Sequence, residues 1–147
     1  TIPWSVRRQR QPATAMHLPA GSRVMTIDSE GSLDLDDALS VTRLSNGNLQ
    51  IGIHISDVSY FVEPASKLNG FAAHRATSIY LASGHTMPML PPRLANDLCS
   101  LLPNQERLCV STSFEVTRGG RVVRELGAAR TILRSHCRFT YTQADRL

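Results

Sequence analysis

Lysine is almost missing from this chain: fifteen of its sixteen basic residues are arginine and only Lys67 is lysine, a bias that carries no functional weight by itself. Cysteine is scarce as well. Cys99, Cys109 and Cys137 make an odd number without Cys-x-x-Cys spacing or an ordered set of histidines nearby. That argues against a disulfide framework and a structural zinc site, and for a reducing compartment. No apolar run approaches the roughly 20 residues needed to cross a bilayer. The opening stretch TIPWSVRRQRQP also lacks the apolar core of a secretion signal. A cytoplasmic protein without a membrane partner is therefore expected. No Gly-rich phosphate loop, Ser-His-Asp order or internal repeat stands out.

What is present is a separation of charge. The 147 residues are 41% hydrophobic, enough for one domain with a core, or for part of a larger one. Net charge is +4, yet Asp28, Glu30, Asp34, Asp36 and Asp37 place five negative charges in ten residues with no basic residue among them, so the rest carries +9. A basic surface draws polyanions such as nucleic acid, and a compact acidic cluster draws divalent cations. Together they point to a metal-dependent enzyme acting on a phosphate backbone, with scattered solvated charge as the bland alternative.

Residues 1–22 are rich in Pro, Gln and Arg without periodicity and are expected to form a linker or the end of a preceding RNA-binding module. Arg7, Arg8 and Arg10 are candidate phosphate contacts there, against a solvated linker. RVMTID, DALSVTRL and LQIGIHIS have strand patterns, and VSYFV continues in the same style. Ser45–Asn46–Gly47–Asn48 is a hairpin signal because Asn-Gly accepts positive φ angles. A helix is expected within residues 65–78, capped by Ser66 and weakened by Gly70. A short one should follow in PRLANDL, with Pro92 in its first turn. RLCVSTSFEV and RVVRELGAARTIL flank the turn TRGG as a second hairpin, and YTQADRL looks like a helix start with Thr142 as its cap. The fold class is α+β, a mixed or antiparallel sheet with flanking helices.

If LDLDD is extended, Asp34 and Asp36 share one face and Asp37 points away unless the backbone bends. Gly31, Ser29 and Ser32 permit bending. Two carboxylates about 4 Å apart repel by about 4 kcal/mol at an effective dielectric near 20. With no cation inside the segment, the natural counter-charge is one or two hard divalent ions, Mg²⁺ or alternatively Mn²⁺, bound through oxygen. An EF-hand loop would need D-x-D-x-D-G and a glutamate twelve residues from the start, and neither is present. His54 is a candidate ligand or a buried, satisfied histidine. Asp57 is a supporting carboxylate or a turn-former, and Tyr80 a base-stacking residue or a core tyrosine.

TIDSEGSLDLDDALSV, IGIHISDVSYFVEPASKL, TSIYLASGHTMPMLPPRLANDLCSLLPNQERL and the hairpin from Cys109 onward resemble the start of the ribonuclease II (RNB) catalytic domain, from about Val24 to the C-terminus. Several ordered motifs at compatible spacing make the resemblance specific. It implies a Mg²⁺-dependent hydrolytic exoribonuclease that degrades single-stranded RNA from 3′ to 5′ into nucleoside 5′-monophosphates. By position, Asp28 and Asp37 would be metal ligands, Asp34 would ligate or position the site, and Asp36 would serve the cleavage step through a second metal or the attacking water. Tyr80 would seat the 3′-terminal nucleotides. The family's domain continues for several hundred residues more, with OB-fold domains on either side. Residues 23–147 are accordingly expected to be its N-terminal part, partnered by the remainder in the same polypeptide or a companion chain. A non-catalytic RNA-binding or scaffolding fragment is the alternative.

Overall fold

The computed structural model describes residues 15–19 and 21–147. Arg7, Arg8 and Arg10 lie outside the described residues. The strands are β1 (Met16–His17), β2 (Arg23–Asp28), β3 (Asp37–Arg43), β4 (Leu49–Ser56), β5 (Ile79–Tyr80), β6 (Thr86–Met87), β7 (Glu106–Val116), β8 (Val122–Arg134) and β9 (Cys137–Thr140). Helices α1 (Val58–Phe61), α2 (Lys67–Arg75) and α3 (Tyr141–Ala144) and a π-helical turn, Leu94–Leu98, join them. Seven strands build one sheet in the order β1-β8-β7-β4-β3-β2-β9. The two edge strands are parallel to their neighbours and the interior pairings are antiparallel, so the sheet is mixed, as expected for an α+β chain.

The β3–β4 hairpin closes where Asn-Gly predicts it, but only Gly47 of that pair takes a positive φ, +84°. The turn residues are tied down by Glu115, whose Oε1 accepts from Asn46 Nδ2 and Asn48 Nδ2, each at 2.7 Å, while Arg124 Nε pairs with its Oε2 at 2.8 Å. These partners hold the Glu115 carboxyl down at about 2. Helix α2 starts as read, with the Ser66 hydroxyl accepting from Asn69 N.

Two local readings are corrected. VSYFV is not a strand: the Asp57 side chain accepts from the Tyr60 backbone N–H and turns residues 58–61 into a helical turn, so a cap outweighs β-branched and aromatic propensity. Helix α3 is capped by Thr140 rather than Thr142. Thr140 and Gln143 form a reciprocal capping box, which satisfies two backbone donors that a start at Thr142 would leave open.

The main core gathers Val24, Leu35, Ala38, Leu101, Cys109 and Leu133, all buried, on one face of the sheet. A second cluster holds Ala72, Leu90, Leu94 and Cys99 under α2 and the π-helical turn. It carries the β5–β6 arm, which is anchored by Arg75 Nη1 donating to the Pro88 carbonyl at 2.8 Å and Met89 N donating to Ser78 Oγ at 2.9 Å.

Candidate metal centre

The acidic segment is held by the leucine in its middle. Leu35 is fully buried between Asp34 and Asp36, and full burial of such a side chain contributes about 1.5–3 kcal/mol. Backbone bonds fix it on both sides. Leu35 N donates to Ser100 Oγ at 3.1 Å, and Leu101 N donates to the Leu35 carbonyl at 2.9 Å. Ser100 Oγ in turn donates to the Leu33 carbonyl at 2.8 Å, and Ser56 N donates to the Asp36 carbonyl at 2.9 Å. The segment is therefore not a strand through LDLDD. Regular pairing begins only at Asp37, so Asp34 and Asp36 stand on backbone outside the strand ladder.

Their charges meet. Burial pushes the Asp28 carboxyl above its ordinary value. The nearby Thr26 hydroxyl and Arg138 guanidinium pull it down, and the charges of Asp37 and Asp34 push it up again. Asp36 is raised by desolvation and then by repulsion from Asp34, Asp37 and Asp28. Because Asp36 keeps a solvent-facing edge, its three like-charged neighbours are the more telling cause. The charges of Asp34 and Asp37 thus reach Asp28, and those of Asp28, Asp34 and Asp37 reach Asp36.

Tyr80 joins them from 46 residues away: its hydroxyl donates to Asp34 Oδ2 at 2.5 Å. That bond pushes the phenol above its ordinary value, and most of the ring stays exposed. A pocket beside Asp37 is lined by Ile27, Asp37, Tyr141, Thr142, Ala144 and Asp145.

The donor set fits a hard divalent cation. It consists of carboxylate oxygens in mutual repulsion, and Asp28 Oδ2 is buried without a hydrogen-bond partner. The arrangement is open: among the described residues, no three His, Cys, Asp or Glu side chains are already placed to hold one ion.

His54 is not in this set. Its ring is buried and both nitrogens are engaged, Nδ1 with Ser111 Oγ at 2.7 Å and Nε2 with Ser40 Oγ at 2.8 Å. Burial lowers its pKa to about 4, so it is a neutral core histidine. Asp57 caps α1, accepts from Ser59 Oγ at 2.6 Å and pairs through Oδ2 with Arg130 Nε at 3.0 Å. It is a structural carboxylate. Arg138 was not singled out by the sequence, because nothing local links it to an acidic turn 109 residues earlier.

The chain matches the RNB domain model over residues 20–147. It is 42% identical over 122 residues to DIS3-like exonuclease 2 of Schizosaccharomyces pombe, an alignment covering 83% of this chain and 13% of that protein. It is 45% identical, again over 122 residues, to the inactive exonuclease DIS3L2 of Arabidopsis thaliana, covering 83% of this chain and 11% of that one. It superposes with a TM-score of 0.81 and 32% identity on Mycoplasma genitalium RNase R in complex with ribose-methylated single-stranded RNA, covering 92% of this chain and 20% of that structure. The chain therefore spans only a small part of the proteins it matches. By its family model, its relatives and its fold, this chain belongs to the RNB domain family.

Proposed function

We propose that the chain supplies the aspartate metal site of a Mg²⁺-dependent exoribonuclease that hydrolyses single-stranded RNA from 3′ to 5′ and releases nucleoside 5′-monophosphates. The observation that carries this reading is the repulsion that Asp36 receives from Asp28, Asp34 and Asp37, with Tyr80 hydrogen-bonded to Asp34 of the same cluster. Asp28 and Asp37 are the metal ligands, Asp34 positions the site, and Asp36 serves the cleavage step. A bound divalent ion would polarise the phosphoryl oxygen and activate water. The residues of the chain do the rest. Leu35 fixes where the carboxylates start, and the Tyr80 hydroxyl steers Asp34 while its exposed ring offers a stacking surface for a 3′-terminal base. The RNA-bound M. genitalium relative supports RNA as the substrate class.

The rest of an RNB domain, in the same polypeptide or a companion chain, is the expected partner for the uncovered face of the sheet. Leu39, Ile53, Ile55 and Val110 are exposed there, and Asp37 lies in one register row with Ile55 and Val110. Whatever covers the aliphatic residues abuts Asp37 and forms the site's second wall. No helix among the described residues is long and apolar enough to cross a membrane, and a cytoplasmic setting fits the free thiols of Cys99, Cys109 and Cys137.

The second reading, a non-catalytic RNA-binding module, is kept by the inactive Arabidopsis relative. Degradation of a 5′-labelled single-stranded RNA with Mg²⁺ separates the two, comparing the full polypeptide with its Asp36→Asn variant. Activity in the parent and a loss of at least about 100-fold in the variant, a barrier increase of about 2.7 kcal/mol, is expected. Equal activity in both defeats the catalytic reading.

A further inference from the structure

We propose that Arg138 is a positioning residue of the aspartate site: its guanidinium clamps the carbonyl of Ser29 and sets the turn that presents Asp28 and Asp34 to a divalent cation. This rests on the metal-site reading above. Strand β9 lies parallel to β2 in the register Met25–Cys137, Thr26–Arg138, Ile27–Phe139 and Asp28–Thr140. Side chains alternate along a strand, so Arg138 and Asp28 share a face, two register positions apart. From that row Arg138 Nη2 reaches past Asp28 and donates to the Ser29 carbonyl at 2.8 Å. The same carbonyl accepts from Ser32 N at 3.2 Å, closing the turn that leads from β2 to Asp34. One oxygen thus holds both ends of the turn, and the arginine ties it to a strand more than a hundred residues away.

Charge adds to geometry. Arg138 is the basic side chain whose charge registers at Asp28, and no basic side chain registers at Asp36, among the described residues. A planar guanidinium suits this double duty, since one nitrogen can bond a carbonyl while the delocalised charge faces a carboxylate. Lysine offers the charge without the fork.

Two effects oppose each other when the arginine is removed. Loss of an outer contact that orients ligands typically costs 10–100-fold in metal affinity, whereas removing a cation relieves its repulsion of the metal. The clamp is expected to win at the low end, leaving Arg138→Met roughly tenfold weaker for Mn²⁺ and Arg138→Lys between it and the parent. The test is Mn²⁺ titration of the full polypeptide by electron paramagnetic resonance, with Asp28→Asn alongside. Amide exchange at Ser32 in the absence of metal reads the turn directly and should quicken in both arginine variants.

Weaker Mn²⁺ binding in both arginine variants, with faster Ser32 exchange, supports the proposal. Parent-like or tighter binding in Arg138→Met overturns it while a loss in Asp28→Asn leaves the metal site standing. Equal binding by the parent and Asp28→Asn removes the metal site itself, and the proposal with it. Should Arg138→Met fail to fold, Arg138→Lys decides: parent-like affinity and parent-like Ser32 exchange overturn the proposal.

Discussion

The two faces of the central sheet are built in opposite ways. On the covered face the rows across β3, β4 and β7 read Ala38–His54–Ser111 and Ser40–Gly52–Ser113. A chain of side-chain bonds runs Ser40–His54–Ser111–Thr131, the last link at 2.5 Å. On the other face the rows are Asp37–Ile55–Val110 and Leu39–Ile53–Thr112, with Ile55 49% and Val110 43% exposed. In these rows a polar network is buried beside the apolar core of Val24, Ala38, Cys109 and Leu133, while aliphatic side chains stand exposed on the opposite face. A satisfied hydroxyl–imidazole network is tolerated in a core because every member has a partner. An uncovered aliphatic face marks an interaction surface. One face is covered within this chain, and the other is left open by the described residues.

Breaking the covered face should cost most. Leu35→Ala removes the buried anchor between Asp34 and Asp36, and a loss of about 2–5 kcal/mol is expected in urea unfolding.

Next comes pH. The charged form of His54 is disfavoured in the fold, its pKa falling from 6.5 to about 4, so the unfolded chain binds more protons between those values. The stabilising contribution is complete above pH 6.5 and is lost as pH falls toward 4. It amounts to about 3 kcal/mol at 1.36 kcal/mol per pKa unit. Glu115, held at about 2, adds loss in the same direction below its ordinary value of 4.5, so the histidine is isolated by comparison. Between pH 7 and 4.5, His54→Gln should lose less stability than the parent in urea titrations, and equal losses would break the assignment.

The smallest effect is expected on the open face. Ile55→Thr should shift the thermal stability of the 147-residue chain by no more than about 0.5 kcal/mol. In the full polypeptide the same change should cost more than that. Equal small shifts in both settings would mean that nothing covers this face.

The sequence made legible what is local or periodic. The Asn46–Gly47 hairpin, the Ser66 cap and the long β7–β8 hairpin all follow from short-range signals, and the acidic segment from charge density, while the choice of its four aspartates rests on the family resemblance. What stayed hidden depends on pairing at a distance. Strand β9 has four residues and a parallel partner more than a hundred positions earlier, so neither its existence nor the role of Arg138 has a local signature. The Tyr80–Asp34 bond needs the β5–β6 arm to fold back over the acidic segment. Alternation in ALSV and IGIHIS shows that the faces differ, but an ordinary preference would turn isoleucine inward. Gly52 shows why it is not so. A Cβ there would stand 2.4 Å from Ser40 Oγ and 2.7 Å from His54 Nε2, so the glycine makes room for the imidazole on the inside.

The claim that most needs a direct test is that Asp28, Asp34, Asp36 and Asp37 close on a divalent ion. Anomalous diffraction from Mn²⁺-soaked crystals of the full polypeptide answers it. The account predicts a peak at roughly 2.0–2.2 Å from carboxylate oxygens of this set, with Asp28 Oδ2 among them. A Mn²⁺ peak elsewhere, or none among these four aspartates at saturating metal, would contradict it.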